Sequence, residues 1–142
     1  MPAKPSIRSA LAKVERLLPG KPTHPADRRW LAMLHIHDEF MKTHPEEIWP
    51  FILRWGKHPQ TDLRDAIACC LLEHLLENHF NLMFARVREA AKNSPRFADT
   101  LRRCYWMGEA AWAPNAAILD RIVGVKRFRF RPRRPKALRT LK

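Results

Sequence analysis

The chain has 142 residues, 46% of them hydrophobic, and its 27 Lys+Arg against 14 Asp+Glu give a formal net charge of +13. This length is typical of one domain, and the apolar content excludes a chain that is disordered throughout. No apolar run reaches the roughly 18–20 residues of a membrane span, so we expect no membrane partner.

The basic charge is concentrated at the two ends of the chain. Residues 1–29 carry seven basic and two acidic groups, residues 30–120 carry ten and twelve, and residues 121–142 carry ten and none. Blocks of like charge are usually solvated and often contact a polyanion. We therefore predict a near-neutral folded body with basic ends.

Helical periodicity begins near the N-terminus. A first helix is predicted between Ser6, which is a suitable N-cap, and Pro19-Gly20, which ends the run. Its apolar face recurs at helical spacing. That face consists of Ile7, Leu11, Val14 and Leu18. A second helix is predicted over about residues 26–43, and a third starts at Pro45 and kinks at Pro50.

Four further helices are predicted before residue 125. The fourth begins at Asp62 and is the most apolar, so we expect it to be central. The fifth starts near Phe80, the sixth is capped by Ser94 and the seventh by Asn115. Only four glycines and no alternating apolar segment before residue 125 argue against a sheet. The sequence therefore predicts an all-α fold.

The predicted helices fall into pairs that repeat along the chain. The paired units begin near residues 6, 46 and 80, and two helices in about 34–47 residues are typical of an α-solenoid. Asp27 and Asp62 are 35 residues apart, and so are Arg29 and Arg64. A weaker copy of the pattern ends at Asp99. We expect Arg64 to bridge to an acid or a carbonyl of a neighbouring unit.

The third and fourth helices resemble a known repeat family. Ile48-Trp49-Pro50-Phe51-Ile52-Leu53, followed by Leu63-Arg64-Asp65-Ala66-Ile67-Ala68, is similar to the HEAT pattern of a proline in the first helix and a Val-Arg-x-Ala-Ala-like start to the second. This resemblance to the HEAT/armadillo family is best over residues 46–76. It implies a short right-handed α-solenoid of about three antiparallel helix pairs, used for binding proteins or nucleic acid, with no shared catalytic residue.

The resemblance and the charge pattern together divide the chain into two parts. We predict one HEAT-like helical domain over residues 1–124, followed by an extended, basic C-terminal arm over residues 125–142. The prolines at 132 and 135 hinder a helix in the arm.

The C-terminal arm is the clearest functional signal in the sequence. Arginine pairs with phosphates, and phenylalanine stacks on exposed bases. The predicted nucleic-acid contacts are Lys126, Arg127, Phe128, Arg129, Phe130, Arg131, Arg133, Arg134, Lys136 and Arg139. If the segment is extended, the odd-numbered arginines lie on one side and the two phenylalanines on the other. An acidic protein partner, and a solvated tail whose phenylalanines dock on the body, are the alternatives.

Histidine and carboxylate side chains are frequent in the second and fourth predicted helices, but we expect no metal and no cofactor. His35 and His37 do not face each other on a helix, whereas His74 and Glu77 could share a ligand face. Neither Cys-x-x-Cys nor His-Glu-x-x-His occurs in the chain. We expect His37 and His74 to lie on the core side of their helices and to form hydrogen bonds there.

These features predict a non-enzymatic binding module whose basic ends contact nucleic acid. The main alternative is a protein-interaction adaptor, whose basic tail binds an acidic partner and whose interface uses exposed tryptophans. The tryptophans considered for it are Trp49, Trp55, Trp106 and Trp112. A less favoured hypothesis is a metalloenzyme built on His74 and Glu77. Three cysteines, an odd and sparse number, predict a reducing, cytoplasmic location.

Overall fold

Helices make up most of the protein, for which a computed structural model describes residues 6–22 and 27–130. The helices are α1 (Ile7–Glu15), α2 (Arg28–Phe40), α3 (Pro45–Trp55), α4 (Thr61–Ile67), α5 (Glu73–Asn93), α6 (Pro95–Arg102) and α7 (Asn115–Val123). A π-helical segment, Ala68–Leu72, joins α4 to α5, and a 3-10 helix covers Gly108–Ala111. The predicted all-α class is confirmed.

Two helices begin at the predicted caps. The Ser6 hydroxyl accepts a hydrogen bond from the backbone N–H of Ser9 at 3.1 Å. The Ser94 hydroxyl accepts one from the N–H of Phe97 at 3.1 Å. Each cap satisfies a donor that the first turn of a helix leaves without an intrahelical partner. α7 ends, as predicted, at Gly124, whose φ of +77° is readily adopted by glycine.

Two other predicted caps are wrong. The N-cap of α4 is Gln60, and Asp62 lies inside the first turn, where its carboxylate accepts a hydrogen bond from Arg29. Asn115 is the first residue of α7, and its side-chain amide donates to the carbonyl of Glu109 at 2.9 Å. In both cases a partner outside the helix uses the side chain that the sequence assigns to capping.

One residue between the start of α4 and the end of α5 departs from helical backbone angles. His79 has φ −137° and ψ 40°, close to the predicted boundary between the fourth and fifth helices. The Glu109 carboxylate accepts the N–H of Phe80 at 3.0 Å, so a donor at the break is satisfied. The His79 ring forms a hydrogen bond with the carbonyl oxygen of Met41 at 2.8 Å. The break is therefore held by contacts from two other parts of the chain.

Each helix from α1 to α6 contacts helices that lie one or two places away along the chain. α1 contacts α2 and α3, α2 contacts α4, α3 contacts α4 and α5, and α6 contacts α4 and α5. The largest side chains of the shared core include Met33, Ile48, Phe97 and Trp106, all fully buried. Burying one such side chain stabilises the fold by about 1.5–3 kcal/mol.

Acid–arginine contacts connect segments that lie 33 to 35 residues apart in the chain. Arg29 donates to Asp27 at 2.7 Å and also to Asp62, 33 residues further along. Arg64 donates to Asp99, 35 residues further along, at 2.7 Å. The two arginines are only 3% and 8% exposed. This set of five residues is called the Asp–Arg ladder below. The bridging contact predicted for Arg64 is confirmed.

A short parallel strand pair joins the C-terminal segment to the body. Strand β1 (Trp106–Met107) pairs with β2 (Arg129–Phe130), with Trp106 opposite Arg129. The N–H of Trp106 also donates to the carbonyl of Phe128 at 3.0 Å. The sequence predicts no strand at residue 106, because two residues are too few to produce a period-two pattern.

No helix within residues 6–22 and 27–130 combines the length and the apolar character that crossing a bilayer requires.

Candidate functional site

The structure describes half of the residues predicted to contact nucleic acid. Lys126, Arg127, Phe128 and Arg129 are described with their side chains, and Phe130 is described through its place in β2. The other five lie outside the described residues. They are Arg131, Arg133, Arg134, Lys136 and Arg139.

Asp120, on α7, holds the start of the predicted arm against the body. One carboxylate oxygen accepts the backbone N–H of Arg127 at 3.0 Å and the indole N–H of Trp106 at 2.8 Å. The other accepts from the guanidinium of Arg129. Burial alone would raise the pKa of Asp120, but these hydrogen bonds and the charge of Arg129 lower it. Residues 127–129 are therefore part of the folded body, although the sequence places them in the arm.

Both described arginines of the segment bind the protein itself. Arg127 donates through Nε to the carbonyl of Cys104 at 3.1 Å, and Arg129 forms an ion pair with Asp120. The alternation along the segment places the two arginines on one side, and that side faces the body. Their guanidinium groups are therefore engaged in intramolecular contacts, which a free arm would not have.

Two exposed rings lie beside Arg127. Phe128 is 61% exposed and Tyr105 is 43% exposed, and the rings meet edge to face with centroids 6.2 Å apart. The Arg127 guanidinium lies 5.3 Å from the centre of the Tyr105 ring. Tyr105, Arg127 and Phe128 are called the aromatic patch below. Residues 131–142 continue the chain from this point with six basic and no acidic groups.

The tryptophans considered for a protein interface are mostly in the core. Trp49, Trp55 and Trp106 are buried. Trp112, which follows the 3-10 helix, is exposed. Of the four, Trp112 therefore has the surface position that an interface residue needs.

A second group of ionisable side chains lies where α2 meets the first turn of α5. The His37 and His74 rings have centroids 4.1 Å apart, and His74 Nδ1 lies 2.8 Å from Glu77 Oε1. One potential ligand atom from each of the three residues lies within 4.8 Å of the others. We call His37, His74 and Glu77 the His–Glu cluster. The shared face of His74 and Glu77 is as expected, but the meeting with His37 depends on helix packing that the sequence does not reveal.

Glu73 is buried directly beside the His–Glu cluster. Burial disfavours the carboxylate and raises the pKa of Glu73 to about 7, although the N–H of Tyr105, 3.0 Å from Oε2, partly offsets this. Oε1 lies 4.0 Å from Nε2 of His74. The Glu73 side chain thus lies between the His–Glu cluster and the backbone of Tyr105.

The cysteines show no sign of an activated nucleophile. Burial raises the pKa of Cys69 to about 11 and that of Cys70 to about 12, and it also raises the pKa of the fully buried Cys104 well above its usual value. All three are free. Because the thiolate is the reactive form, a raised pKa makes these thiols poor nucleophiles near neutral pH.

A family model matches residues 20–123, which include the Asp–Arg ladder and the His–Glu cluster. The chain belongs to DUF6869, a family of unknown function. Neither the curated proteins nor the solved structures provide a match. The matched range ends at Val123, so the segment that begins at Gly124 lies beyond the part that defines the family.

Proposed function

We propose that this DUF6869 member is a non-enzymatic binding module that contacts nucleic acid through its C-terminal segment. The aromatic patch carries the proposal, because it exposes two rings beside a guanidinium where the most basic stretch of the chain begins. Base–aromatic stacking contributes about 1–3 kcal/mol per base, and basic side chains add attraction to phosphates. The ligand that fits is a nucleic acid with exposed bases.

The Asp120 contacts indicate different roles for the anchored residues and for the rest of the C-terminal segment. Asp120 fixes Arg127 and Arg129 to the body, so Phe128 between them is held at a defined place. A ring that is already positioned loses less conformational entropy when a base stacks on it. In this proposal the anchored residues supply stacking, and residues 131–142 supply charge.

We also propose that the body is a HEAT-like, right-handed stack of three helix pairs. The contacts of α1 to α6 with helices one or two places away along the chain support this arrangement. The Asp–Arg ladder supports it too, since each arginine reaches the acid of the next unit after 33 or 35 residues. A cytoplasmic location belongs to the same proposal, because the three cysteines are free thiols.

Fluorescence anisotropy with labelled single-stranded DNA and RNA tests the function. The full chain is compared, over a series of salt concentrations, with a chain that ends at Phe130 and keeps the Asp120 contacts. We expect the full chain to bind at least about tenfold more tightly, with a salt slope of roughly 0.7 per phosphate contact on a single strand. Equal affinity of the two chains, or affinity that does not change with salt, contradicts the proposal.

The stacking contribution is tested separately with F128A. This variant should weaken single-strand binding by about 5–150-fold, which corresponds to about 1–3 kcal/mol, without changing the salt slope. W112A is the matched control, because it removes an exposed aromatic ring outside the aromatic patch. If both variants weaken binding equally, the aromatic patch is not the binding surface.

A second candidate function is a protein-interaction adaptor with an acidic partner. Exposed apolar side chains at Leu31 and Leu34 on α2, and at Trp112, favour it. Polyglutamate serves as a protein-like polyanion in the same assay. Binding to polyglutamate that equals nucleic-acid binding and is insensitive to F128A supports the adaptor and contradicts the nucleic-acid proposal.

A further inference from the structure

The start of α5, residues 73–78, lies between two irregular backbone segments. The π-helical segment Ala68–Leu72 precedes it, and the non-helical His79 follows it. His74 and Glu77 lie within these six residues. π-Helical turns occur frequently at functional sites, where the extra residue redirects side chains. The distortion gives the His–Glu cluster a second feature of a built site, independent of its residue types.

The backbone that carries His74 and Glu77 is fixed from several directions. Gly108 has φ +52°, and a Cβ atom there would lie 2.7 Å from Cγ and 2.9 Å from the carbonyl oxygen of Glu77. The 3-10 helix thus packs directly on Glu77, with no room for a larger residue. The side-chain amide of Asn78 donates to the His74 carbonyl at 2.8 Å. These contacts hold the turn in one conformation.

The His37 ring is oriented by a neighbouring carboxylate. Nδ1 of His37 lies 3.0 Å from Oδ1 of Asp38. When Nδ1–H donates to this carboxylate, the lone pair is on Nε2, which is the tautomer that a metal ion needs. Carboxylate–histidine pairs of this kind commonly support the histidine ligands of metal ions.

We propose that His37, His74 and Glu77 bind a divalent transition-metal ion of the zinc class. Two imidazoles and one carboxylate are a donor set that zinc accepts, and a fourth position remains for water. The three ligand atoms lie within 4.8 Å of one another, and tetrahedral zinc would bring them to about 3.4 Å. Their side chains are 27%, 20% and 33% exposed, so an ion reaches the cluster from solvent.

This site is distinct from the proposed nucleic-acid surface. None of its three ligands belongs to the aromatic patch, and all lie within the family range of residues 20–123. The nucleic-acid proposal and the metal proposal can therefore be tested separately.

Metal titration of the full, tag-free chain tests the proposal after chelator treatment and removal of the chelator. Calorimetry with Zn²⁺ should give one equivalent bound, and Co²⁺ should give the visible absorption of a tetrahedral nitrogen–oxygen site. H37Q and H74Q should each weaken the affinity at least about tenfold. H35Q is the matched control, because His35 is exposed on the same helix as His37 and lies outside the cluster; it should leave affinity unchanged.

Three results overturn the proposal. The first is no binding near one equivalent, and the second is binding that H37Q does not weaken. The third is a thiolate-to-cobalt charge-transfer band, which assigns the ion to cysteine. Circular dichroism checks that each variant is folded. If H74Q does not fold, H37Q decides alone, since it changes a partly exposed side chain on the other helix.

Discussion

Acid–arginine contacts stabilise two regions of this protein. In each region one residue binds several partners, but the type of that residue differs. In the Asp–Arg ladder the arginine is central, and Arg29 reaches Asp27 and Asp62 while remaining 3% exposed. At the C-terminal segment the acid is central, and Asp120 accepts from Trp106, Arg127 and Arg129. The comparison shows which deletion is most harmful. Removing the central residue leaves all of its partners without the contact, whereas removing a peripheral one leaves the others in place.

The largest effect is expected for R29M, which leaves the carboxylates of Asp27 and Asp62 without their shared cation. Breaking a buried ion pair from one side destabilises proteins by about 3–5 kcal/mol, and the partial exposure of Asp62 places R29M near 3 kcal/mol. Urea unfolding followed by circular dichroism measures the loss. The control is R54M, since Arg54 is 66% exposed and pairs with Glu15 at 3.5 Å, so its loss should stay below about 1 kcal/mol. Equal losses would show that burial of the arginine does not decide its contribution.

A smaller effect is expected when the C-terminal segment is shortened. A chain ending at Gly124 loses the contacts that Arg127, Phe128 and Arg129 make with the body. Its free energy of unfolding should be lower by about 2–3 kcal/mol. A chain ending at Phe130 keeps them and should match the full chain within about 0.5 kcal/mol. Urea unfolding of the three chains measures both differences. Equal stability of the two shortened chains would mean that the segment does not stabilise the body.

The smallest effect is expected for D120N, which keeps one acceptor oxygen and loses the charge. At pH 7 it should be destabilised by about 1–2 kcal/mol. The lowered pKa of Asp120 means that the ionised form stabilises the fold above the unfolded pKa, and that this contribution is lost as pH falls through the folded pKa. The difference between wild type and D120N in urea unfolding should therefore stay constant near neutral pH and shrink as the pH falls below the unfolded Asp pKa of about 3.9. A difference that does not shrink at low pH would assign the effect to packing rather than to charge.

Local signals in the sequence predict much of the fold. The caps at Ser6 and Ser94 and the end at Gly124 depend on neighbouring residues, and they are present in the structure. The 35-residue spacing of the Asp and Arg pattern also predicts a long-range contact of Arg64 with an acid, and Arg64 donates to Asp99, 35 residues further along. Asp62 shows the limit of this approach, since its local pattern fits a cap and a distant arginine takes its carboxylate.

The candidate sites depend on contacts between distant segments. His37 and His74 are 37 residues apart and meet because α2 packs on the π-helical segment, which no local pattern predicts. The C-terminal segment carried one available signal. Asp120 is the last acidic residue of the chain and precedes a run of arginines, so an intramolecular pair could be anticipated there. A net charge does not reveal the Asp120–Arg129 pair, because a count of charges treats every arginine as available to a ligand.

Gly108 lies near both the C-terminal segment that carries the aromatic patch and the His–Glu cluster. Trp106 is bonded to the C-terminal segment through Phe128, and two residues later Gly108 lies against Glu77. Residues 106–108 therefore connect the segment that carries Phe128 to the part of α5 that carries Glu77 by one short stretch of backbone. If metal binding changes the affinity for nucleic acid by some factor, nucleic acid must change the affinity for the metal by the same factor, because coupling between two sites is reciprocal.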